Sequence, residues 1–356
     1  MGHLKIHKSL FVYLALCTAV VVLGCLSYYI LPERFFFDAI IITEDFYNEK
    51  GFFRSYPVTM LFYDRTGLGK LPFSTVALIQ LPIVLLVLYK LGIPRRFAHF
   101  TLRNVLAYIC IILLAFFIAM PSKEFITFLV IACIPLILKS RKYNLRTTVF
   151  ILFALIVLFG IWYRPYYILI PIISGVIYLT SLINFKRKVL AGIFSGLLIL
   201  VFLSLSYGVV QGEYLSQSTR EELNEQRAGE EATNSAITSP VATESWYGEA
   251  VGIFYGFASV NLPINGLKHI LKPQILAFVI WQLLLTFYLL FLYRNCLKNK
   301  SVYSYEIWAF YLVFAYFIVQ GVFEPDLGSA VKHKIGILPL IYFALYYDSF
   351  RKSVSI

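Results

Sequence analysis

The sequence predicts an all-α fold, a polytopic membrane bundle of about ten transmembrane helices, and three observations support this class. First, 60% of the 356 residues are hydrophobic and only 14% are charged, a composition too apolar for a soluble domain. Second, apolar runs recur along the chain near the length that crosses a bilayer core, about 20 residues. Third, lysines and arginines gather in alternate loops between these runs, as in membrane proteins of fixed orientation.

Ten apolar runs are interpreted as transmembrane spans. They extend, in chain order, over residues 10–30, 73–91, 104–120, 125–138, 147–163, 166–184, 189–210, 273–293, 302–323 and 336–347. The third, fourth and tenth runs are short for a span. The first run is too long for the core of a cleavable signal peptide, and no small-residue cleavage site follows Ile30, so we expect it to be retained.

The distribution of charge predicts the orientation. The loops on one side contain basic runs such as those at 95–96 and 186–188, and their only acidic residues are Glu306 and Asp348. This side is therefore predicted to be cytoplasmic, with both termini on it. The net charge of +12 then reflects membrane topology and is no argument for nucleic acid as a partner.

We expect one integral membrane domain over residues 1–356, with two long segments on the outer side. Residues 31–72 form the first outer loop, whose aromatic and acidic pieces are typical of segments at the membrane interface. Residues 211–272 form a large outer loop before the eighth span. Its polar stretch at 216–231 predicts a charged helix, its small polar residues at 232–243 predict mobility, and aromatic residues return from Trp246.

The cysteines and histidines give no sign of a metal site. The five cysteines lie in predicted spans or an inner loop, and no pair of them has metal-ligand spacing. We therefore expect neither a metal ion nor a cofactor.

Three short polar clusters interrupt the apolar chain, at residues 121–124, 163–167 and 324–334. Counting spans places all three at the outer face of the membrane. Ionisable residues near a hydrocarbon core are costly, so their gathering at one end of several helices predicts a functional site.

The first two clusters also have structural interpretations. Ser122 can cap the helix that follows it, and Glu124 suits the positive end of that helix dipole. Lys123 opposes the dipole, and a contact with an anion explains it better. Arg164 and its neighbouring tyrosines are also compatible with an aromatic belt in which the guanidinium reaches lipid headgroup phosphates.

The third cluster is the most specific of the three. It contains two acids, two lysines and a histidine between two apolar runs. Asp326 is predicted to begin a turn or a helix, and His333 would lie on the same helical face about two turns later. His333 and Asp326 are the preferred candidates for a general base.

The order of these clusters resembles that of bacterial Wzy-type polysaccharide polymerases. The chain has Ser-Lys-Glu ahead of a helix, an outer arginine at a helix hinge, and Glu-Pro-Asp-x-Gly-Ser followed by Lys-His at the last outer turn. Such enzymes join lipid-linked repeat units of O-antigen, capsule or exopolysaccharide. The resemblance covers most of the chain through its topology and long polar outer loop, and rests on few specific residues.

The resemblance implies a glycosyltransferase in the bacterial cytoplasmic (inner) membrane, with its active site facing outward. It implies undecaprenyl-pyrophosphate-linked glycans as donor and acceptor, and the lipid bilayer and a chain-length regulator protein as partners. The candidates to bind pyrophosphate are Arg164, supported by Lys123 and Lys332, with Arg220 and Arg227 for the second glycan. The candidate bases are His333, Asp326, Glu324 and Glu124, and the rings proposed to stack on sugar are those of Tyr163, Tyr166 and Tyr167. Pattern alone favours a solvated helix of alternating charges for Arg220 and Arg227.

Three other functions stay open at this point. A single-sugar transferase of the GT-C type, with a polyprenyl-monophosphate donor, would have its essential acid in the first outer loop, where Asp38, Glu44 and Asp45 lie. An O-antigen ligase would use the same donor with a lipid A-core acceptor. A flippase for lipid-linked oligosaccharides, or another transporter, would carry charges in the middle of its spans, and the predicted spans have almost none there.

Overall fold

The structure, a computed structural model, describes residues 8–45, 49–226, 235–269 and 271–350. Within these ranges the chain forms fifteen α-helices, with 3₁₀ turns and loops between them, and no β-strand. The prediction of an all-α fold is therefore confirmed. Arg227, one of the predicted pyrophosphate contacts, lies outside the described residues.

The helices follow the apolar runs closely. They are α1 (Lys8–Ile30), α2 (Phe37–Glu44), α3 (Ser55–Arg65), α4 (Phe73–Leu91), α5 (Leu102–Phe117), α6 (Lys123–Ser140), α7 (Leu145–Trp162), α8 (Leu169–Leu182), α9 (Lys188–Gln211), α10 (Glu222–Gln226), α11 (Trp246–Asn261), α12 (Pro273–Lys298), α13 (Ile307–Phe323), α14 (Leu327–Gly336) and α15 (Leu338–Leu345).

In the part of the chain that the structure describes, six helical segments are long and apolar enough to cross a membrane, as expected for a helical membrane protein. These segments are Lys8–Ile30, Phe73–Leu91, Leu145–Trp162, Pro165–Leu182, Lys188–Gln211 and Ile275–Lys298. Leu102–Phe117 and Ile307–Phe323 are shorter apolar helices. The count of ten spans therefore stays a prediction.

The region of the tenth predicted span forms two helices instead of the single helix that the sequence predicts. A single apolar helix was predicted over residues 336–347, but α14 already begins at Leu327 and ends at Gly336, and α15 covers only eight residues. Pro339 lies in the first turn of α15, where a missing N–H and a fixed φ are tolerated. The same proline in the interior of a continuous helix would break it, which explains the division.

Several helices begin at residues whose side chains accept a hydrogen bond from the first turn. Thr101 accepts from the N–H of Asn104, Asn144 from Thr147, and Ser245 from Gly248. Such caps satisfy backbone donors that have no partner inside the helix. They locate the first residues of α5, α7 and α11 independently of hydrophobicity.

The chain divides into two compact units, of which the first comprises Met1–Pro165 and Lys332–Ile356. In this unit α1 packs against α4 and α5, and α15 packs against α4, α5 and α6. The short helices α2 and α3 also pack against each other. The second half of α14 belongs to this unit, so the unit is assembled from two segments far apart in the sequence.

The second unit, Tyr166–Val331, is organised around α13. Every residue from Ile307 to Val322 is buried, and α13 packs against α8, α9, α11 and α12. A helix that is apolar on all sides belongs in the interior of a bundle. Helix α11 approaches α13 closely, because a Cβ on Gly256 would overlap the carbonyl oxygen of Gly321. Small residues allow such contacts between membrane helices.

Candidate functional site

The candidate site lies in the first unit and is formed by six ionisable side chains. We refer to it as the charge cluster, which consists of Asp38 of α2, Lys123 and Glu124 of α6, Arg164 after α7, and Lys332 and His333 of α14. Five of these six were among the site residues predicted from the sequence. Their proposed chemical roles stay predictions.

The first turn of α6 is held in place by hydrogen bonds at Ser122. The Oγ of Ser122 accepts from the N–H of Phe125 at 3.3 Å, which confirms the predicted N-cap. The N–H of Ser122 donates to the hydroxyl of Tyr63 at 3.1 Å, and the side-chain amide of Gln80 lies against the same hydroxyl. These three residues are buried, so Lys123 and Glu124 start from a rigid support.

Tyr163 connects the end of α7 to the start of α6. Its hydroxyl donates to the carbonyl oxygen of Lys123 at 3.1 Å and lies 2.6 Å from Oγ1 of Thr59 in α3. The ring itself stacks on Phe159, one turn earlier in α7. Since Arg164 follows directly in the chain, these contacts determine where its guanidinium group lies.

Arg164 and Glu124 form a buried ion pair. Nη2 of Arg164 donates to Oε1 of Glu124 at 2.7 Å, and the two residues are 3% and 0% exposed. Removing only one partner of an ion pair this close and this buried strongly destabilises the fold, because the other charge stays buried without a partner. In this structure the guanidinium of Arg164 is turned inward to an internal carboxylate, and the aromatic-belt alternative, in which it reaches lipid headgroups, stays a prediction.

His333 approaches the same carboxylate from α14. Its Nε2 lies 3.5 Å from Oε1 of Glu124. The close approach depends on Gly336, where a Cβ would lie 3.1 Å from Cγ2 of Thr127 and would crowd the first turns of α6. A carboxylate beside a histidine orients the ring, an arrangement found where imidazole acts as a base.

Asp38 occupies the remaining part of the charge cluster. Its Oδ2 accepts from Nζ of Lys332 and lies 3.4 Å from Nζ of Lys123. Its Oδ1 accepts from the hydroxyl of Tyr56 at 2.8 Å. The ammonium group of Lys123 also lies 3.5 Å from the centre of the Tyr56 ring, which is a cation–π contact. The anion that the sequence predicted for Lys123 is, in this structure, Asp38.

Positive charge dominates the balance of the cluster. Burial by itself would raise the pKa of Asp38, but Lys123 and Lys332 outweigh this effect and hold that pKa well below its ordinary value. Burial opposes ionisation of Glu124 in the same way, and its cationic neighbours still lower its pKa to about 2. Both carboxylates are therefore ionised near neutral pH, and they face the basic side chains of Lys123, Arg164 and Lys332 and the ring of His333.

Glu324 and Asp326 lie in the second unit and have structural partners there. Oε1 of Glu324 accepts from Nε2 of Gln320 at 2.9 Å. Both carboxylate oxygens of Asp326 accept from Ser329, one from its N–H and one from its hydroxyl, each at 2.8 Å. Asp326 is thus the predicted helix cap at the start of α14. This engagement makes it a weaker candidate for the base than His333.

Arg220 is also in the second unit and corrects the expectation of a solvated helix. It is 0% exposed, and its Nη1 donates to the carbonyl oxygens of Gly252 in α11 and Gly321 in α13. The polar stretch predicted as one charged helix forms a single π-helical turn and the five-residue α10 within the described residues. Nearby Glu249 is buried as well, and it accepts from the hydroxyls of Ser204 and Ser216.

The tyrosines predicted to stack on sugar are less accessible than expected. Tyr163 and Tyr167 are 1% and 0% exposed, so in this structure neither ring has an open face. Tyr166 is half-buried and stacks on Phe323. The structure therefore assigns Tyr163 a supporting role, because its hydroxyl joins α3, α6 and α7.

Asp38 and Tyr56 are the members of the site that the preferred interpretation of the sequence did not include. The sequence indicates Asp38 as a candidate site residue only under the alternative of a GT-C transferase. A signal was nevertheless present, because Asp38 is the single charge within the apolar run from residue 35 to residue 42. A lone acid in such a run needs a partner of opposite charge.

Within the described residues, no group of three or more histidine, cysteine, aspartate or glutamate side chains could hold a metal ion. Comparison of the chain with protein-family models, curated proteins and solved structures gives no match.

Proposed function

We propose that the protein is a glycosyltransferase that polymerises undecaprenyl-pyrophosphate-linked oligosaccharide repeat units at the outer face of the cytoplasmic membrane. The observation that carries the proposal is the charge cluster, in which Lys123, Arg164 and Lys332 meet two carboxylates and His333. The products would be O-antigen, capsule or exopolysaccharide.

The cations of the cluster suit the departure of a pyrophosphate. In the proposed reaction a sugar hydroxyl of the acceptor attacks the anomeric carbon of the donor, and the bond from that carbon to the pyrophosphate oxygen breaks. Negative charge develops on the leaving group, and fixed positive charges in a dry site stabilise it better than water does. Arg164, Lys123 and Lys332 supply this charge, so the proposal requires no metal ion.

The proton of the attacking hydroxyl needs an acceptor, for which we favour His333. The ring is partly exposed, and Glu124 lies beside it at a distance that can orient it. Glu124 itself is fully buried and engaged by Arg164 through Oε1, which makes it a less accessible base. In this scheme Glu124 holds both Arg164 and His333 in position.

The proposal includes the finer topology of ten spans, with both termini in the cytoplasm and the charge cluster on the outer side. As a prediction, a phosphatase reporter fused after Leu215 is active, because the positive-inside rule puts this loop outside. The enzymatic activity of the fusion in whole cells measures the result, with a fusion in the inner loop after Lys142 as the inactive control. A silent reporter after Leu215 together with an active one after Lys142 would reverse the orientation.

The glycan profile of a deletion strain tests the function directly. We expect surface glycan that carries a single repeat unit, because attachment continues when extension stops. Electrophoresis of the isolated surface glycan measures the chain-length ladder, and complementation with the intact chain is the control. Loss of all attached glycan would identify a ligase instead, and an altered repeat unit would identify a single-sugar transferase.

A second candidate, the GT-C transferase with a polyprenyl-phosphate donor, gains support from one observation. Asp38, an acid of the predicted first outer loop, contacts Lys123 and Lys332 in the charge cluster. If Asp38 is the essential acid of such an enzyme, Asp38→Asn abolishes transfer of the sugar. A polymerase that depends on Arg164 retains extension in this variant.

A further inference from the structure

Two lysines from distant parts of the chain converge on one oxygen atom. Nζ of Lys123 and Nζ of Lys332 both contact Oδ2 of Asp38, across 294 residues in the case of Lys332. The hydroxyl of Tyr56 donates to the other oxygen. Two ammonium groups directed at a single carboxylate oxygen have the donor geometry that also suits a phosphate oxygen.

The position of the Asp38 carboxylate is set by contacts of its side chain with Lys123, Lys332 and Tyr56. The packing of α2 does not depend on these contacts. The buried residues of α2 are Ala39, which packs with Phe36 and Met120, and Ile42, which packs with Tyr63 and Val76. The side chain of Asp38 is 27% exposed and that of Lys332 is 21% exposed. A rotation of the Asp38 side chain can therefore release the lysines while α2 keeps its packing.

We propose that Lys123 and Lys332 form a phosphate subsite, and that Asp38, held there by Tyr56, fills it as an internal substitute for the anion until the diphosphate of a lipid-linked ligand displaces it. The identity of this ligand rests on the proposed function. The displacement itself concerns binding alone, and it can be tested without turnover.

A pocket beside Lys332 has both polar and apolar lining residues. It is lined by Asp38 and Lys332 on its polar side and by Phe35, Phe116 and Phe117 on its apolar side. A polyprenyl diphosphate likewise has a polar part and an apolar part, since its charged headgroup is joined to a hydrocarbon chain. An apolar wall beside a phosphate subsite favours this ligand over a free anion.

The first test measures binding of inorganic pyrophosphate to the detergent-purified full chain by calorimetry. We expect Asp38→Asn to bind about tenfold more tightly than the wild type, because a charge-assisted competitor has been removed. Unchanged or weaker binding in this variant overturns the proposal, as does a failure of every variant to bind.

Two further variants separate displacement from a general effect of charge. Asp45→Asn removes an equal charge from the end of α2, where Asp45 pairs with Lys50, and the left-handed backbone at this position accepts asparagine. We expect no change in its binding. Tyr56→Phe changes no charge but weakens the hold on Asp38, and we expect binding about threefold tighter. Equal gains in Asp38→Asn and Asp45→Asn, or no gain in Tyr56→Phe, contradict displacement.

The second test compares farnesyl diphosphate with pyrophosphate on the same protein. We expect farnesyl diphosphate to bind at least about tenfold more tightly, and Phe117→Ala to remove this advantage without changing the affinity for pyrophosphate. Equal binding of the two ligands to the wild type overturns the lipid-linked identity. Neither binding test measures polymer. A negative binding result therefore counts against the phosphate subsite, whereas a normal chain-length ladder in the deletion strain counts against the proposed function.

Discussion

Arg164→Ala is expected to lower the rate of chain extension at least about 100-fold, because a fixed cation that stabilises the leaving pyrophosphate is lost. The substitution also leaves Glu124 buried without its partner at 2.7 Å, which costs about 3–5 kcal/mol of stability. Extension is measured as incorporation of lipid-linked repeat units in vesicles, and stability as thermal unfolding in detergent.

A second substitution separates the chemical effect from the structural one. In the Arg164→Ala background, Glu124→Gln removes the unpaired charge, so we expect stability to recover while extension stays lost. Arg65→Ala is the matched control, since Arg65 is an exposed arginine at the end of α3 in the same unit. If the double variant extends chains at the wild-type rate, Arg164 has only a structural role.

Gly256→Ala is expected to destabilise the second unit by about 2–4 kcal/mol, which is a large effect for one methyl group. The new Cβ would overlap the carbonyl oxygen of Gly321 and crowd Nη1 of Arg220, so α11 and α13 must separate. Arg220 would lose the two carbonyl oxygens that it contacts. Thermal unfolding of the purified protein measures the change.

Gly175→Ala provides the control for this prediction. Gly175 lies inside α8, and a Cβ there meets nothing within 4 Å. Because alanine favours helix over glycine, we expect stability to be unchanged or raised by up to about 1 kcal/mol. A loss of stability in Gly175→Ala equal to that of Gly256→Ala would show that helix packing at Gly256 is not the cause.

The membrane class and much of the charge cluster could be predicted from the sequence because their signals are local. Composition and run length identify spans, and a polar group inside an apolar chain stands out by itself. Lys123, Glu124 and Arg164 each lie directly at a helix end, so the span pattern alone places them near one another. Ser122 was recognised as a cap by the same local reasoning.

The partners within the cluster depend on tertiary packing and could not be derived in this way. Nothing near Asp38 in the sequence indicates that it would contact Lys332, and the tyrosine rings were predicted as open surfaces although packing encloses Tyr163 and Tyr167. The burial of Arg220 was missed for a related reason, since alternating charge usually marks a solvated face. The spacing of Gly248, Gly252 and Gly256 was the available sign of a close helix contact.

The charge cluster also has implications for biosynthesis. Lys332 and His333 belong to a first unit whose other helices, except α15, all precede residue 166. During synthesis, Asp38 and Glu124 leave the ribosome long before Lys332 and His333 do. A nascent chain interrupted anywhere before residue 332 therefore lacks one lysine of the pair and the histidine, and incomplete products cannot acquire the assembled cluster.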